Sequence, residues 1–329
     1  MTDTYAFLVF TFVIILVFEA VNGWTDAPNA IATVVSTRVL TPMAAVTMAA
    51  VLNLAGALSG TAVATTIGKD IVNIDAITLE TAAAASLAVI IWSTTAWYFG
   101  LPTSESHGIV SGIAGAAVAT AGTDVLLWEG WEKVFTGLGT AVTAGFVGAF
   151  LLMTLVIWLF QRVRPSTVRR LFGPMQIASS AFMAWSHGTA DGQKAIGVMA
   201  MALAIWSGEG TEGFHVPLWV ILLSGTTMGL STAFGGWRII RTLGMRLTHL
   251  ETHQGFCAEA AAAATITVTA RMGIPVSTTH TIGSAIMGVG ATKRLSAVRW
   301  GVAYNIIGAW ILTFPICFAL GWAIAWIIP

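Results

Sequence analysis

Two short hydroxyl-rich segments, each led by a proline, repeat within a mostly apolar chain. Residues 102–107 read Pro-Thr-Ser-Glu-Ser-His, and residues 275–280, 173 positions later, read Pro-Val-Ser-Thr-Thr-His. Proline is favoured in the first turn of a helix, and Ser or Thr hydroxyls cap its free N–H groups. We therefore predict two helix N-termini that suit a small oxyanion, although such hydroxyls also join neighbouring helices. The predicted anion ligands are Thr103, Ser104, Ser106, Ser277, Thr278 and Thr279.

Two related clusters of polar residues contain the buried acids. Asp26 follows Asn22 and precedes Asn29, and Asp191 lies 165 positions after Asp26. The same spacing places Lys194 opposite Asn29. Ionisable side chains inside a membrane are costly and usually face a cavity, so both clusters are candidate sites.

A glycine shortly before each acid predicts a break in the helix, at Asn22-Gly23 and at His187-Gly188. Discontinuous helices place free carbonyl groups near the middle of the membrane, where they hold cations. Asp26 and Asp191 are therefore the candidate metal-cation ligands, and Asn22 and Asn29 join them in a predicted coupling site. The alternative is a simple kink whose free backbone groups are capped by the acid.

Glu105 breaks the symmetry of the hydroxyl segments, because Thr278 takes its place in the second copy. A carboxylate repels an anion unless it is protonated or paired with a cation. We assign Glu105 to cation coupling, with a cap or a salt bridge as the alternative. Gln193 and Lys194, which follow the second acid, are assigned to substrate binding.

The composition is that of a membrane protein. Hydrophobic residues make up 56% of the 329 residues and charged residues only 9%, against about 25% in typical soluble domains. The net charge of zero excludes a generic basic surface for nucleic acid. The sequence contains no recognisable nucleophile–base pair, histidine-rich metal motif or nucleotide loop. We predict neither an enzyme nor a resident cofactor.

Apolar stretches long enough to cross a bilayer number five in each half. They are 5–36, 41–67, 76–100, 102–122, 134–161, 174–206, 216–236, 252–273, 275–291 and 298–327. An odd number of units inverts the second copy relative to the first. We predict an all-α polytopic protein made of two inverted-topology repeats, 1–172 and 173–329, with discontinuous helices and re-entrant hairpins.

The basic residues predict an orientation in the cytoplasmic membrane. With both termini outside, eleven Lys or Arg residues fall on inner connections and three on outer ones, as the positive-inside rule requires. The inner ones are Arg38, Arg162, Arg164, Arg169, Arg170, Arg238, Arg241, Arg246, Lys293, Arg294 and Arg299, and the outer ones are Lys69, Lys133 and Arg271.

The motifs resemble those of the inorganic phosphate transporter (PiT) family, in its bacterial low-affinity permease form. Residues 22–38, Asn-Gly-Trp-Thr-Asp-Ala-Pro-Asn-Ala-Ile-Ala-Thr-Val-Val-Ser-Thr-Arg, resemble the first signature, and residues 187–194, His-Gly-Thr-Ala-Asp-Gly-Gln-Lys, resemble the second. Both hydroxyl segments also match. Thr25, Pro28 and Ala190 depart from the pattern, which usually has His, a small residue and Asn there. The resemblance implies symport of inorganic phosphate with a cation, and the family also includes sulfate permeases.

The membrane potential requires coupling, because it opposes anion uptake by about 2.3 kcal/mol per charge per 100 mV. The cation is H⁺ or Na⁺. Lys194 favours H⁺, since its ammonium takes the position where a second cation would bind. The substrate is then phosphate, free or as a metal–phosphate complex; a sulfate permease and an oxyanion channel are the alternatives. Oligomeric state stays open.

Overall fold

A computed structural model describes residues 5–26, 28–234 and 236–328. Within these residues the regular structure is helical, apart from one isolated antiparallel bridge between Val72 and Leu126. The predicted all-α class is confirmed. The predicted outer positions of the termini fall on residues 1–4 and 329, outside the described residues.

The α-helices are numbered in chain order. They are α1 (Tyr5–Thr25), α2 (Pro28–Ser36), α3 (Pro42–Ala57), α4 (Ala62–Thr65), α5 (Leu79–Tyr98), α6 (Glu105–Ala121), α7 (Trp128–Phe160), α8 (Pro165–Ala190), α9 (Gly192–Ser207), α10 (Leu218–Thr232), α11 (Trp237–Arg241), α12 (Thr252–Arg271), α13 (Thr278–Ala291) and α14 (Trp300–Ala325). π-Helical turns at Thr66–Asp70 and Thr242–Arg246 follow α4 and α11, and 3₁₀ turns lie at Ile74–Ala76, Thr123–Val125 and Leu295–Ala297.

Four helical segments in the described chain are long and apolar enough to cross a bilayer. They are Tyr5–Ser36, Leu79–Tyr98, Trp128–Phe160 and Trp300–Ala325. The pairs Pro42–Ala57 with Ala62–Asp70 and Leu218–Thr232 with Trp237–Arg246 raise the number to six, although they bend by 67° and 61°. Each of the ten predicted stretches overlaps a helix or a helix pair, but within the described residues fewer than ten segments are long and apolar enough to span a bilayer.

The difference between predicted spans and observed helices is clearest at α6 and α13, which follow the two hydroxyl segments. α6 has 17 residues and α13 has 14, which correspond to about 25 Å and 21 Å of helix. A bilayer core is about 30 Å thick, so both helices are shorter than it. α13 is buried at every position. Low charge alone therefore did not separate a spanning helix from a short helix enclosed by others.

The predicted positions of the helix breaks were wrong by about three residues. α1 continues through Gly23 to Thr25, and α8 continues through Gly188 to Ala190. The glycines instead allow close packing. A Cβ on Gly23 would lie 2.9 Å from the carbonyl oxygen of Met228, and one on Gly188 would collide with the backbone of α3.

The centre of the chain also differs from its prediction. α8 begins at Pro165, where proline fits the first helical position, and it continues past Pro174. Arg169 and Arg170 consequently lie in a helix rather than in a loop, and the predicted repeat boundary at 172/173 falls inside α8.

The helices pack in matched pairs. α6 lies against α5 and α14, while α13 lies against α12 and α7. α1 contacts α10, and α8 contacts α3. Glycines permit the close approach: a Cβ on Gly115 would collide with the backbone of Phe318 in α14, and one on Gly288 would collide with that of Phe146 in α7. Helices from the two halves of the sequence are thus interleaved around α6 and α13.

Candidate functional site

The first helix break lies at Asp26, between α1 and α2. The N–H group of Asp26 donates to the carbonyl oxygen of Asn22 at 2.9 Å, and that of Asn29 donates to the carbonyl oxygen of Asp26 at 2.8 Å. The Asn29 amide also donates to Asp26 Oδ1 at 3.0 Å. Asp26 is buried, so its carboxylate depends on these protein donors.

The second break, at Asp191 between α8 and α9, has the same arrangement. The N–H of Asp191 donates to the carbonyl of His187 at 2.7 Å, and the N–H of Lys194 donates to the carbonyl of Asp191 at 3.2 Å. Lys194 Nζ lies 3.0 Å from Asp191 Oδ2, just as the Asn29 amide contacts Asp26 three residues earlier. The two breaks therefore match in backbone and in side-chain placement.

Lys194 joins the two breaks. Its Nζ donates to Asp26 Oδ2 at 3.4 Å in addition to its contact with Asp191. The lysine side chain is 1% exposed. A buried charge is tolerated only when it is paired and hydrogen-bonded, and these two carboxylates supply the pairing.

The hydroxyl segments form the predicted helix N-termini. Ser104 caps α6 by accepting a hydrogen bond from the N–H of His107 at 3.2 Å. Ser277 caps α13 in the same way, with His280 as donor at 3.2 Å. The imidazole rings of the two histidines pack with their centroids 4.7 Å apart, so the two helix starts are adjacent. Thr103 is buried next to the first cap.

The hydroxyls after the caps face the acids. Thr279 Oγ1 donates to Asp26 Oδ1 at 2.8 Å, and Thr278 Oγ1 donates to Asp191 Oδ2 at 2.9 Å. Ser106 Oγ donates to a backbone carbonyl of the second segment at 2.9 Å. Three of the predicted substrate ligands and all of the predicted cation ligands thus form one central cluster, consisting of Asn22, Asp26, Asn29, Glu105, Asp191, Lys194, Thr278 and Thr279.

Glu105 brings a third carboxyl group to the central cluster. Thr25 Oγ1 donates to Glu105 Oε1 at 2.7 Å. Thr25 stands where the resembled pattern has His, so this contact belongs to the departure from that pattern. Within the described residues Glu105 Oε2 is buried without a hydrogen-bond partner.

Three further buried acceptor oxygens of the central cluster have no donor among the described residues. They are Asn22 Oδ1, Asn29 Oδ1 and Asp191 Oδ1. Buried acceptors without donors are uncommon, and oxygen atoms are the ligands that hard cations prefer. Ligand atoms of Asp26, His187 and Asp191 also lie within 4.8 Å of one another. The cluster can therefore hold a proton or a cation.

Gln193 has a different position from the other predicted ligands. Its Oε1 accepts from the N–H groups of Val63 and Ala64 at 2.9 and 3.1 Å, and its Nε2 donates to the carbonyl of Thr189 at 2.6 Å. These bonds tie the start of α4 to α9. The second hydrogen of Nε2 remains free to donate, and Gln193 lines a separate cavity rather than the central cluster.

Comparisons with known proteins agree on one family. A model of the phosphate transporter family matches residues 22–168 and 160–321. The chain belongs to the phosphate transporter family. A probable low-affinity inorganic phosphate transporter of Rhizobium meliloti (strain 1021) is 43% identical over 315 residues, 95% of this chain and 94% of the relative. A Bacillus subtilis (strain 168) protein of the same description is 42% identical over 317 residues, with the same coverage.

A solved structure of a sodium-dependent phosphate transporter has the same fold, with a TM-score of 0.92 at 23% identity over 100% of this chain and 99% of that one. Phosphate is the substrate of the phosphate transporter family, whose members are transporters and permeases rather than enzymes. Together with the apolar helices, membership marks an integral membrane protein. The family resemblance of the motifs is confirmed.

Two further buried acids, Glu19 and Glu259, have partners that the sequence did not predict. Ser224 Oγ and the Asn22 amide donate to Glu19 at 2.9 and 3.1 Å. Glu259 accepts from the hydroxyls of Thr33 and Ser179. Most of these partners come from distant helices, so sequence spacing gave no signal.

His187 was also missed as a site residue. Its Nε2 lies 3.1 Å from Asp191 Oδ2, and its Nδ1 is 3.2 Å from Asn53 Oδ1. The spacing of four residues between His187 and Asp191 was the available signal, because such residues share a face of a helix, but the break predicted at His187-Gly188 obscured it.

Proposed function

We propose that this transporter imports inorganic phosphate together with a cation, H⁺ in preference to Na⁺. The observation that carries the proposal is the charge of the central cluster. Asp26, Glu105 and Asp191 bring three buried carboxyl groups, and Lys194 brings one ammonium. A phosphate anion meets an excess of negative charge unless protons or cations arrive first. Binding of the two species is then coupled by electrostatics.

The threonine hydroxyls give this coupling a mechanism. Thr278 and Thr279 donate to the carboxylates of Asp191 and Asp26. Once a proton or cation neutralises a carboxylate, the hydroxyl is free to donate to a phosphate oxygen instead. Amide groups at the starts of α6 and α13 and the hydroxyl of Ser104 add to the donor set, and Ser106 joins it once its hydroxyl leaves the backbone carbonyl of the second segment. The cation thus prepares the anion site.

The preference for H⁺ rests on Lys194. Its contact with Asp191 repeats the contact of Asn29 with Asp26, so a fixed ammonium occupies the place of a second cation. One exchangeable site then remains, beside Asp26. Na⁺ is the second candidate, favoured by the unpartnered oxygen atoms of Asn22, Asn29 and Glu105.

We further propose that the chain consists of two inverted repeats, with α6 and α13 in re-entrant hairpins. Both termini would lie on the outer side of the cytoplasmic membrane. The matched breaks and the matched packing of α6 and α13 support the repeats. A cysteine at Ser166, which is exposed in the first turn of α8, should react only from the cytoplasm, and one at Thr123 only from outside. Both native cysteines are buried, so background labelling is low. Labelling of Ser166→Cys from outside sealed cells contradicts the orientation.

The transport proposal is tested with purified protein in liposomes. We expect uptake of labelled phosphate against its gradient when an inward H⁺ gradient is imposed, competition by arsenate, weak competition by sulfate, and loss of uptake with an uncoupler. Asp26→Asn keeps the shape of the side chain and serves as the uncoupled control. Accumulation with a Na⁺ gradient alone selects Na⁺ coupling, and uptake only down the phosphate gradient identifies a channel.

A further inference from the structure

A cavity of about 900 Å³ lies apart from the central cluster, where α2 and α7 end and α8 and α12 begin. None of the central cluster residues lines it. Ser36 and Thr37 form its inner wall at the end of α2, the helix that carries Asn29. The cavity therefore contacts the far end of an element of the transport site.

The cavity carries unpaired positive charge. Arg38 and Arg169 line it, and within the described residues neither guanidinium has a hydrogen bond or an ion pair. Its one lining acid, Glu251, is paired with Lys293 at 2.7 Å. That hydrogen bond holds the pKa of the Glu251 carboxyl below its usual value, so the acid stays ionised and occupied by the lysine. Two arginines are left for an anionic ligand.

The backbone of Arg38 has an unusual conformation. Its φ is 62°, the described chain's one positive φ outside glycine. A positive φ is uncommon outside glycine, and such conformations cluster at active sites and ligand-binding positions. The backbone of Arg38 therefore agrees with a ligand site at this cavity.

Another part of the cavity lining is mainly apolar and comes from the end of α7, a candidate membrane span, and from the residues just after it. Ile157 and Val163 line the cavity and are 43% and 37% exposed. Trp158 and Leu159, between them, are 66% and 54% exposed on the outer surface of the same helix. A ligand in this cavity can contact both the arginines and apolar side chains at the end of a candidate membrane span.

We propose that this cavity binds an anionic phospholipid, with its phosphodiester group on Arg38 and Arg169 and an acyl chain along the end of α7. Basic pockets between membrane helices recognise lipid headgroups in this way. A zwitterionic lipid gains less, because its own cation competes with the arginines. Inorganic phosphate shares the headgroup chemistry but makes no use of the apolar lining.

Native mass spectrometry of the purified full chain tests the proposal, with dihexanoyl phosphatidylglycerol, dihexanoyl phosphatidylcholine and inorganic phosphate as probes. We expect the parent to prefer phosphatidylglycerol. The double variant Arg38→Gln, Arg169→Gln should bind it at least about tenfold more weakly, the loss expected when charge-assisted hydrogen bonds disappear. Arg170→Gln is the matched control, since Arg170 neighbours Arg169 on α8 but does not line the cavity.

Equal binding of phosphatidylglycerol by the parent and the double variant would overturn the proposal. So would an equal loss in Arg170→Gln, which would indicate diffuse attraction to the basic surface. Displacement of the lipid by inorganic phosphate at similar concentration would assign the cavity to soluble phosphate instead. Because each readout is binding, the outcome does not depend on phosphate transport.

Discussion

At the scale of single residues, Lys194 is the side chain that we expect to determine which cation is coupled to phosphate uptake. Its Nζ lies within 3.4 Å of a carboxylate oxygen from each helix break. Lys194→Asn restores the residue found at the matching position of the first break and removes the fixed charge. We expect weaker H⁺-driven phosphate uptake in liposomes and a new dependence on Na⁺, because a cation can then occupy the vacated place.

Two comparisons control this prediction. Lys194→Arg keeps the charge and should not gain Na⁺ dependence, although its larger head group lowers the rate. If Lys194→Asn responds to both gradients as the parent does, the lysine has no part in the choice of cation.

Thr279 is the second test at this scale. Its hydroxyl contacts both Asp26 and the Asn29 amide, at 2.8 and 2.7 Å. Thr279→Ala removes a donor that we assign to the bound phosphate, which should weaken apparent phosphate affinity by about 1.5–3 kcal/mol. Uptake kinetics measure the change, and Thr279→Ser, which keeps the hydroxyl, should resemble the parent. An unchanged affinity in Thr279→Ala at normal expression would limit this hydroxyl to a structural role.

The residues that sequence reasoning identified best are those whose partners are local. The proline-led hydroxyl segments predicted capped helix N-termini, and in the structure Ser104 and Ser277 each accept from an N–H three residues later. The partners of Glu19 and Glu259 are different, since Ser224 and Thr33 lie more than 200 positions away in the chain. Pairings of that kind depend on how helices are arranged, which spacing does not encode.

At the scale of elements, glycines control how closely the helices pack. Gly288→Ala would push a methyl group into the backbone of Phe146 on α7. We expect the free energy of unfolding to fall by about 1–3 kcal/mol, as for other overpacked sites. Thermal unfolding in detergent measures the loss. Gly139→Ala, on α7 with open space at its Cβ, is the matched control and should not destabilise. Similar stability of both variants would contradict the close approach.

The same glycines explain why the breaks were misplaced. Gly23 and Gly188 look like helix interruptions in the sequence, and isolated glycines do lower helix propensity. In the structure, their missing side chains admit α10 and α3 to the surfaces of α1 and α8. The helices end only at the acids. A glycine's role as packing surface or breaker is set by its neighbours in space.

At the scale of the whole molecule, the central cluster is buried, and the surroundings of the two matching helix breaks, α3–α4 and α10–α11, differ. A cavity of about 330 Å³ lined by Gln193 and Arg271 opens beside the α3–α4 break. At the corresponding α10–α11 break, the Arg238 guanidinium packs over the rings of Trp97 and Tyr98, 5.1 and 5.0 Å from their centroids. Neither Asp26 nor Asp191 lines the 330 Å³ cavity.

Arg238 should therefore stabilise the packing of α11 against the end of α5. Arg238→Gln removes cation–π contacts worth about 0.5–1 kcal/mol each, which corresponds to at least a roughly twofold rise in local opening. Hydrogen exchange of the amides in 237–246 measures this opening. Arg241→Gln, an exposed arginine one turn later, is the control. Equal exchange in both variants would show that the stacked guanidinium does not hold this end.

If Lys194 replaces an exchangeable cation, as we propose, the lysine also limits how far phosphate can be concentrated. A tethered charge returns with the carrier after every cycle, so it performs no net electrical work. If one H⁺ accompanies each phosphate monoanion, the cargo is neutral and the membrane voltage contributes nothing. Each tenfold H⁺ gradient then supplies about 1.4 kcal/mol, enough for a tenfold phosphate ratio. A carrier in which Lys194 replaces an exchangeable cation would thus reach a lower phosphate concentration ratio, but its uptake would continue when the membrane voltage collapses.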